Sequence, residues 1–210
     1  MIAQKDITNP IWSVYLGSVK DLGDPDQGKS FYTFGNYDES VVKASGQSIG
    51  WAPVDSSNGF WMFSSASGSI NGKTVEQSGN KAIADTGTTL MLMSDQFCEA
   101  LYGAIDGAQN SRRYGGWIIP STNIDQRPDV KVAVGDNMIT IEKEQLGWAD
   151  LGDGSGMVFG AVQSRGNLGF DILGDTFLIC CYAIFDVGQK RFGVVQRADP
   201  TPVGQPGGRQ

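Results

Sequence analysis

Ala82-Ile83-Ala84-Asp85-Thr86-Gly87-Thr88-Thr89-Leu90 is a short apolar run that breaks on Asp-Thr-Gly, adds two hydroxyl residues and returns to the apolar Met91-Leu92-Met93. The pattern predicts a buried strand ending in a tight turn that carries one carboxylate. Gly87 lets the backbone turn and lets a ligand come close. The apolar neighbours put the Asp85 carboxylate at the edge of a core, and Thr86 and Thr88 offer hydroxyl donors to hold it. A carboxylate on a rigid, partly dry turn suits acid–base chemistry. The motif occurs once in the 210 residues.

The segments around this turn read mostly as strands and hairpins. Ile11–Leu16 alternates and pairs with Phe31–Gly35. Gly50–Val54 and Phe60–Phe63 flank the hairpin signal Asp55–Gly59. Ser69–Val75 is a tighter hairpin. Ser94 can cap a helix running to Ile105, where Phe97, Leu101 and Ile105 recur at helical spacing, with Gly107 ending it. Further on, Val130–Val134 and Met138–Ile141 form a hairpin through Gly135-Asp136-Asn137. Lys143–Leu146 is a short helical turn and Met157–Val162 a strand. Asp171–Leu178 begins as a strand and breaks at Gly174. Tyr182–Val187 and Arg191–Val195 close the chain around Gly188. The expectation is one mostly β domain over residues 1–197 and a disordered Pro/Gly-rich tail over 198–210.

Composition narrows the chemistry. With 29 glycines and only 19% charged residues, the chain suits a turn-rich β protein. A net charge of −7 argues against nucleic acid and anionic membrane surfaces as partners. Histidine is absent, which removes Ser-His-Asp and Cys-His catalysis and the commonest zinc ligand. Cys98, Cys180 and Cys181 are odd in number, two of them adjacent in an apolar run, and read as buried small hydrophobes rather than a disulfide framework. The acidic loop Asp21–Gly28 lacks calcium-loop spacing, so neither a metal nor a cofactor is expected. No signal peptide, sequon or membrane-length apolar run is visible, and the chain reads as soluble, reduced and unglycosylated.

Several segments together resemble the C-terminal lobe of pepsin-like aspartic proteases, the fungal ones above all. They are PIWSVYLG (10–17), FGNYD (34–38), WAPV (51–54), GFWMF (59–63), AIADTGTTL (82–90), ILGDTFL (172–178) and YAIFD (182–186). Asp-Thr-Gly alone is a weak signal. Asp-Thr-Gly-Thr-Thr in an apolar frame, followed far downstream by Ile-Leu-Gly-Asp, is a strong one. The resemblance implies a single lobe of the acid-protease fold, resembling a double-psi β-barrel, with one or two short helices. Asp85 would be one catalytic carboxylate, and Ile172, Leu173 and Gly174 would pin its loop. Thr86 would lock to its counterpart on a partner lobe, Thr88 would donate to the outer carboxylate oxygen, and Gly87 and Thr89 would contact the substrate backbone. The implied reaction is hydrolysis of a peptide or protein by two carboxylates sharing one proton over one water.

Three departures from the family pattern bear on function. The family carries two Asp-Thr/Ser-Gly turns, and here there is one; Asp175-Thr176 is followed by Phe177 and is no substitute. The N-terminal lobe with its flap has no counterpart. The lobe disulfide is replaced near Ser121 and Met157, a crosslink commonly worth ~2–4 kcal/mol. The family is typically secreted or vacuolar, yet no leader, sequon or disulfide marks that route here. The expectations are therefore a lobe or fragment of a longer protease, incomplete as a monomer and needing the missing lobe; a half-protease completed by a second copy of the chain; or a non-proteolytic protein on this fold, such as a binding module or small-molecule enzyme. A fourth reading makes Asp85-Thr86-Gly87 a mere turn in a β domain.

Overall fold

The alternation at Ile11–Tyr15 becomes strand β1, and its hairpin partner is β2 (Phe31–Phe34), with Trp12 opposite Phe34. The computed structural model describes residues 7–18 and 30–198. The acidic loop at 21–28 and the tail from 199 onward lie outside the described residues. A helix that the sequence reading missed follows, α1 (Glu39–Ser45). Its signals are a cap and a stop: Asp38 accepts from the Ser40 amide, and Gly46 turns left-handed at φ 65°. It buries no residue completely; Val41 and Val42 lean on a small second core of Tyr182, Ile184 and Val195.

Next come β3 (Gly50–Asp55), β4 (Met62–Ser64), β5 (Ser67–Ile70), β6 (Lys73–Glu76), β7 (Lys81–Ala84) and β8 (Met91–Met93). β4 begins two residues later than expected, leaving Phe60 and Trp61 in the approach. Helix α2 spans Asp95–Tyr102, capped by Ser94, whose hydroxyl accepts from the Phe97 amide. It stops at Gly103 rather than running to Ile105 and Gly107. After Leu101 the ladder tightens to i−3 bonds, Ala104 to Leu101 and Ile105 to Tyr102, which ends the α-helix a turn early.

The second half contains β9 (Gln109–Ser111), β10 (Gly116–Pro120), β11 (Val130–Val134), β12 (Asn137–Ile141), the 3-10 turn Lys143–Leu146, β13 (Gly147–Asp150), β14 (Met157–Gly160) and β15 (Val162–Ser164). The single strand expected over Met157–Val162 is two. β14 pairs with β10, the chain breaks at Ala161, and β15 leaves to run parallel to β8. Gly160 permits that crossing, because a Cβ there would collide with the Tyr102 hydroxyl. Last come β16 (Asp171–Leu173), α3 (Asp175–Leu178), β17 (Cys181–Asp186) and β18 (Arg191–Gln196).

Among the described residues the strands form three sheets. Ten join in the order β15-β8-β16-β7-β4-β3-β18-β17-β1-β2; the other two sheets are β13-β14-β10-β9 and β12-β11-β5-β6. The main core is shared between them. Phe63, Met91, Met93, Phe97, Ile119 and Phe177 lie in it, fully or almost fully buried. All three cysteines are free and buried, and burial pushes the Cys98 and Cys180 thiols up to about 12, so they act as inert filler.

Candidate active site

β7 is four residues of Lys-Ala-Ile-Ala, with Ala82 and Ile83 buried. β16 lies parallel to it, Ile83 opposite Ile172 and Ala84 opposite Leu173. On its other side β16 meets β8 antiparallel, with Ile172 opposite Leu92. The loop 85–90 that joins β7 to β8 therefore arches over the end of the strand threaded between them. Gly174 is the residue that passes beneath the arch. A Cβ at this position would fall inside contact distance of the Thr88 and Leu90 carbonyl oxygens, so the crossing requires glycine for space, not for backbone freedom.

Backbone hydrogen bonds lock the crossing. The Asp85 amide donates to the Leu173 carbonyl at 3.1 Å, the Asp175 amide to Thr88 at 2.8 Å and the Thr176 amide to Thr89 at 3.0 Å. The Thr176 hydroxyl also donates to the Thr89 carbonyl, at 3.0 Å. The far end of β16 is held too. The Asp171 carboxylate is completely buried and accepts from Asn80 Nδ2 and Arg165 Nη1, each at 2.6 Å. Asn80 immediately precedes β7 and Arg165 follows β15, so one carboxylate ties three strands at the end away from the arch. Burial outweighs both partners and raises the Asp171 carboxyl above its ordinary 3.8.

On this anchored arch Asp85 is half-buried. Its Oδ1 accepts from the Gly87 amide at 2.9 Å and its Oδ2 from the Thr88 hydroxyl at 2.7 Å. The second donor is thus a backbone N–H rather than the Thr86 hydroxyl of the sequence reading. Thr86, Gly87 and Thr89 are exposed beside it. Each carboxylate oxygen keeps acceptor capacity toward the open side. All eight residues singled out in the sequence, Asp85, Thr86, Gly87, Thr88, Thr89, Ile172, Leu173 and Gly174, meet at this one crossing.

Asp175 is a residue whose part the sequence reading missed. It opens α3 immediately after Gly174, and its carboxyl is raised by burial first and by the Asp85 charge second. A signal for it existed: once Ile172-Leu173-Gly174 is placed under the Asp85 loop, the next residue must lie near that loop. Beside Asp85 opens a recess of about 290 Å³, walled by Trp12, Trp61, Phe185 and Val187. Trp12 stacks on Phe185 with ring centroids 3.9 Å apart. The sheet edge next to it exposes Tyr32 and Phe34. On the other flank a second recess of about 260 Å³ is lined by Thr89, Trp148, Asp175 and Thr176. Among the described residues no group of three or more acidic or cysteine side chains gathers as a metal cage, and no helix is long and apolar enough to cross a membrane.

The family model described as eukaryotic aspartyl protease matches residues 1–197. The chain belongs to the eukaryotic aspartyl protease family. Similar curated proteins include several from fungi. Aspergillopepsin-1 of Aspergillus pseudoglaucus is 39% identical over 167 residues, covering 80% of this chain and 41% of the relative. Penicillopepsin-2 of Penicillium janthinellum is 38% identical over 170 residues, with the same two shares. Penicillopepsin-1 of Talaromyces stipitatus is 36% identical over 172 residues, covering 82% and 42%. The chain thus spans about two fifths of the length of these pepsin-like relatives, which accords with a single lobe. The reading of Asp85-Thr86-Gly87 as a mere turn in an unrelated β domain is thereby set aside.

Proposed function

We propose that this chain is a lobe of an aspartic-type endopeptidase that supplies one of two carboxylates for peptide-bond hydrolysis and is incomplete as a monomer. The observation that carries the reading is the Asp85 carboxylate, held by the Gly87 amide and the Thr88 hydroxyl on a loop that the threaded strand makes rigid. Fixed donors set the direction of the carboxylate before substrate arrives, which is what positioned acid–base catalysis needs.

In this mechanism a water sits between Asp85 and an opposing carboxyl from outside the chain. One carboxylate takes a proton from the water as it attacks the scissile carbonyl carbon. The other, protonated, donates to the carbonyl oxygen. As the intermediate collapses, the first carboxyl gives the proton it took from the water to the leaving amine nitrogen, and the second recovers its proton from a hydroxyl of the intermediate as the new carboxyl group forms. Two close carboxyls titrate as a coupled pair, so one proton is retained in acid while the other is lost. Gly87 and Thr89, exposed on the arch, contact the substrate backbone, and Thr86 reaches its counterpart across the lobe boundary. Asp175 is not the second acid in this reading: it opens α3 directly after the threaded strand, its amide donating to the Thr88 carbonyl.

The opposing acid comes from a complementary N-terminal lobe. The recess walled by Trp12, Trp61 and Phe185, with the exposed Tyr32–Phe34 edge, is the apolar face that such a lobe covers. The test is hydrolysis of an acid-denatured protein, measured for the chain alone and for the chain joined to the N-terminal half of a fungal relative. Activity is expected only in the joined form, and Asp85→Asn abolishes it. Cleavage by a chain shown by sedimentation to be monomeric refutes the proposal. Activity that rises with the square of chain concentration transfers the second carboxylate to another copy of Asp85. Tight peptide binding without cleavage in the joined form makes the fold a binding module.

A further inference from the structure

The sequence holds two adjacent pairs of basic residues, Arg112-Arg113 and Lys190-Arg191. The fold treats them oppositely. Arg191 lies in β18 and is paired on both sides, with Asp186 of β17 and Pro53 of β3. Its Nε donates to Asp186 Oδ2 at 2.9 Å, and its guanidinium lies 3.8 Å over the Trp51 ring. The Lys190 carbonyl accepts from the Val54 amide at 2.8 Å. Presenting that pair to another protein's cleft would mean pulling out a central strand.

Arg112 and Arg113 instead form the exposed turn between β9 and β10. The turn is closed by the Gly115 amide donating to the Ser111 carbonyl at 2.9 Å, with Gly115 at φ 72°. β9 is three residues long and, among the described residues, stands at the edge of its sheet and pairs only with β10. Gln109 and Asn110 are exposed, so little apolar area holds the strand down. β10 is anchored independently, by β14 and by Gln163, whose amide brackets the Trp117 backbone at 2.8 and 2.9 Å. The Arg113 guanidinium lies 5.2 Å from the Tyr114 ring and attracts the exposed Asp153 carboxylate, which accepts from the Tyr114 hydroxyl; these contacts are all at the surface.

We propose that the Arg113–Tyr114 bond is a processing site for an endopeptidase specific for paired basic residues. Such an enzyme needs several residues of extended backbone in its cleft. Lifting β9 supplies them at the cost of one short ladder, without disturbing the ten-stranded sheet. Two adjacent guanidinium groups then fit acidic subsites. Water adds across the Arg113 carbonyl and the Tyr114 nitrogen, leaving a carboxylate on Arg113 and an ammonium on Tyr114. The product is a two-chain form, 1–113 carrying Asp85 and 114–210 carrying Gly174. The two parts are interleaved, with β16 between β7 and β8, β17 against β1 and β18 against β3, so the fold holds without a covalent link.

The test is incubation of the native chain with a serine endopeptidase specific for paired basic residues. Fragments are read by mass spectrometry and their association by gel filtration. The urea-unfolded chain is the control and should be cut at both pairs. The native chain should be cut once, after Arg113, with the fragments co-eluting. Arg113→Gln should slow the cut about tenfold or more, and Lys190→Gln should leave it unchanged. Comparable cutting after Arg191, no cutting of the native chain under conditions that digest the unfolded one, or separation of the fragments overturns the proposal.

Discussion

Replacing Gly174 with alanine adds one methyl group at the place where the chain passes under the Asp85 arch. The new Cβ has no side chain to displace; it meets the backbone carbonyls of Thr88 and Leu90. Overpacking against movable side chains costs about 1–3 kcal/mol, and rigid backbone puts this case at the upper end or above. Relief by moving the arch breaks the Asp175-to-Thr88 and Thr176-to-Thr89 amide bonds and lengthens Asp85-to-Leu173. At ~1 kcal/mol each, two or three such bonds bring the loss to about 5 kcal/mol. Domains of this kind have only about 5–15 kcal/mol in total. Urea unfolding should therefore show Gly174→Ala at the margin of folding. Native-state hydrogen exchange should show the Asp85, Asp175 and Thr176 amides losing protection before those of β17. Gly87→Ala is the contrasting control: its Cβ would meet only Asp85 Oδ1, at 3.1 Å, a side-chain atom that can give. It should cost under ~1 kcal/mol of stability while disturbing the carboxylate. A Gly174→Ala chain within about 1 kcal/mol of the parent, with unchanged exchange at Asp175 and Thr176, would refute the idea that the threaded strand makes the site rigid.

Removing Arg165 as Arg165→Met strands the buried Asp171 carboxylate and should cost ~3–5 kcal/mol near neutral pH in chemical denaturation, and less in acid. The sign follows from the raised Asp171 carboxyl: the folded chain holds that proton more tightly than the unfolded one, whose value is near 3.8. Its contribution is complete below that value and is lost as pH rises through the folded one, so Asp171→Asn should flatten the stability–pH curve above pH 4. Tyr182 joins Ser13 Oγ and the Asp38 amide, each at 2.8 Å, so Tyr182→Phe should lower stability by about 1–3 kcal/mol and loosen α1, read as faster exchange at Val41 and Val42. The residue across the ladder from Met157 is Pro120 rather than Ser121, so Pro120→Cys with Met157→Cys should oxidise to a disulfide and raise stability by ~2–4 kcal/mol over the reduced form. Failure of that pair to crosslink under mild oxidant would count against the β10–β14 register.

Much of the site could be read from residues alone, because its signals are local or rest on glycine and turn chemistry. The apolar frame of Ala82–Ala84, the Asp-Thr-Gly break and the downstream Ile-Leu-Gly-Asp each report a backbone demand that few other residues meet. Hairpins such as Ser69–Val75 were legible for the same reason: Asn71 and Gly72 both take positive φ, as a tight two-residue turn requires. Where the reading missed, packing decided. α1 is too short and too polar to show a helical stripe, and it exists because Asp38 and Gly46 cap it against the Tyr182 face. The strand expected over Met157–Val162 divides because Gly160 and Ala161 carry the chain from one sheet to another, which alternation cannot reveal.

Asp85 on a glycine turn, its hydroxyl neighbours, the absence of histidine and the mostly β character are properties of residue order. The parallel threading of β16 between β7 and β8 belongs to the tertiary structure alone, as do the Asn80–Asp171–Arg165 brace behind it and the proximity of Asp175 to Asp85. Each joins residues far apart in the chain, and no local propensity selects one such pairing over another. The packed core does so, by admitting only the register in which a glycine lies beneath the arch and the buried carboxylate meets its partners.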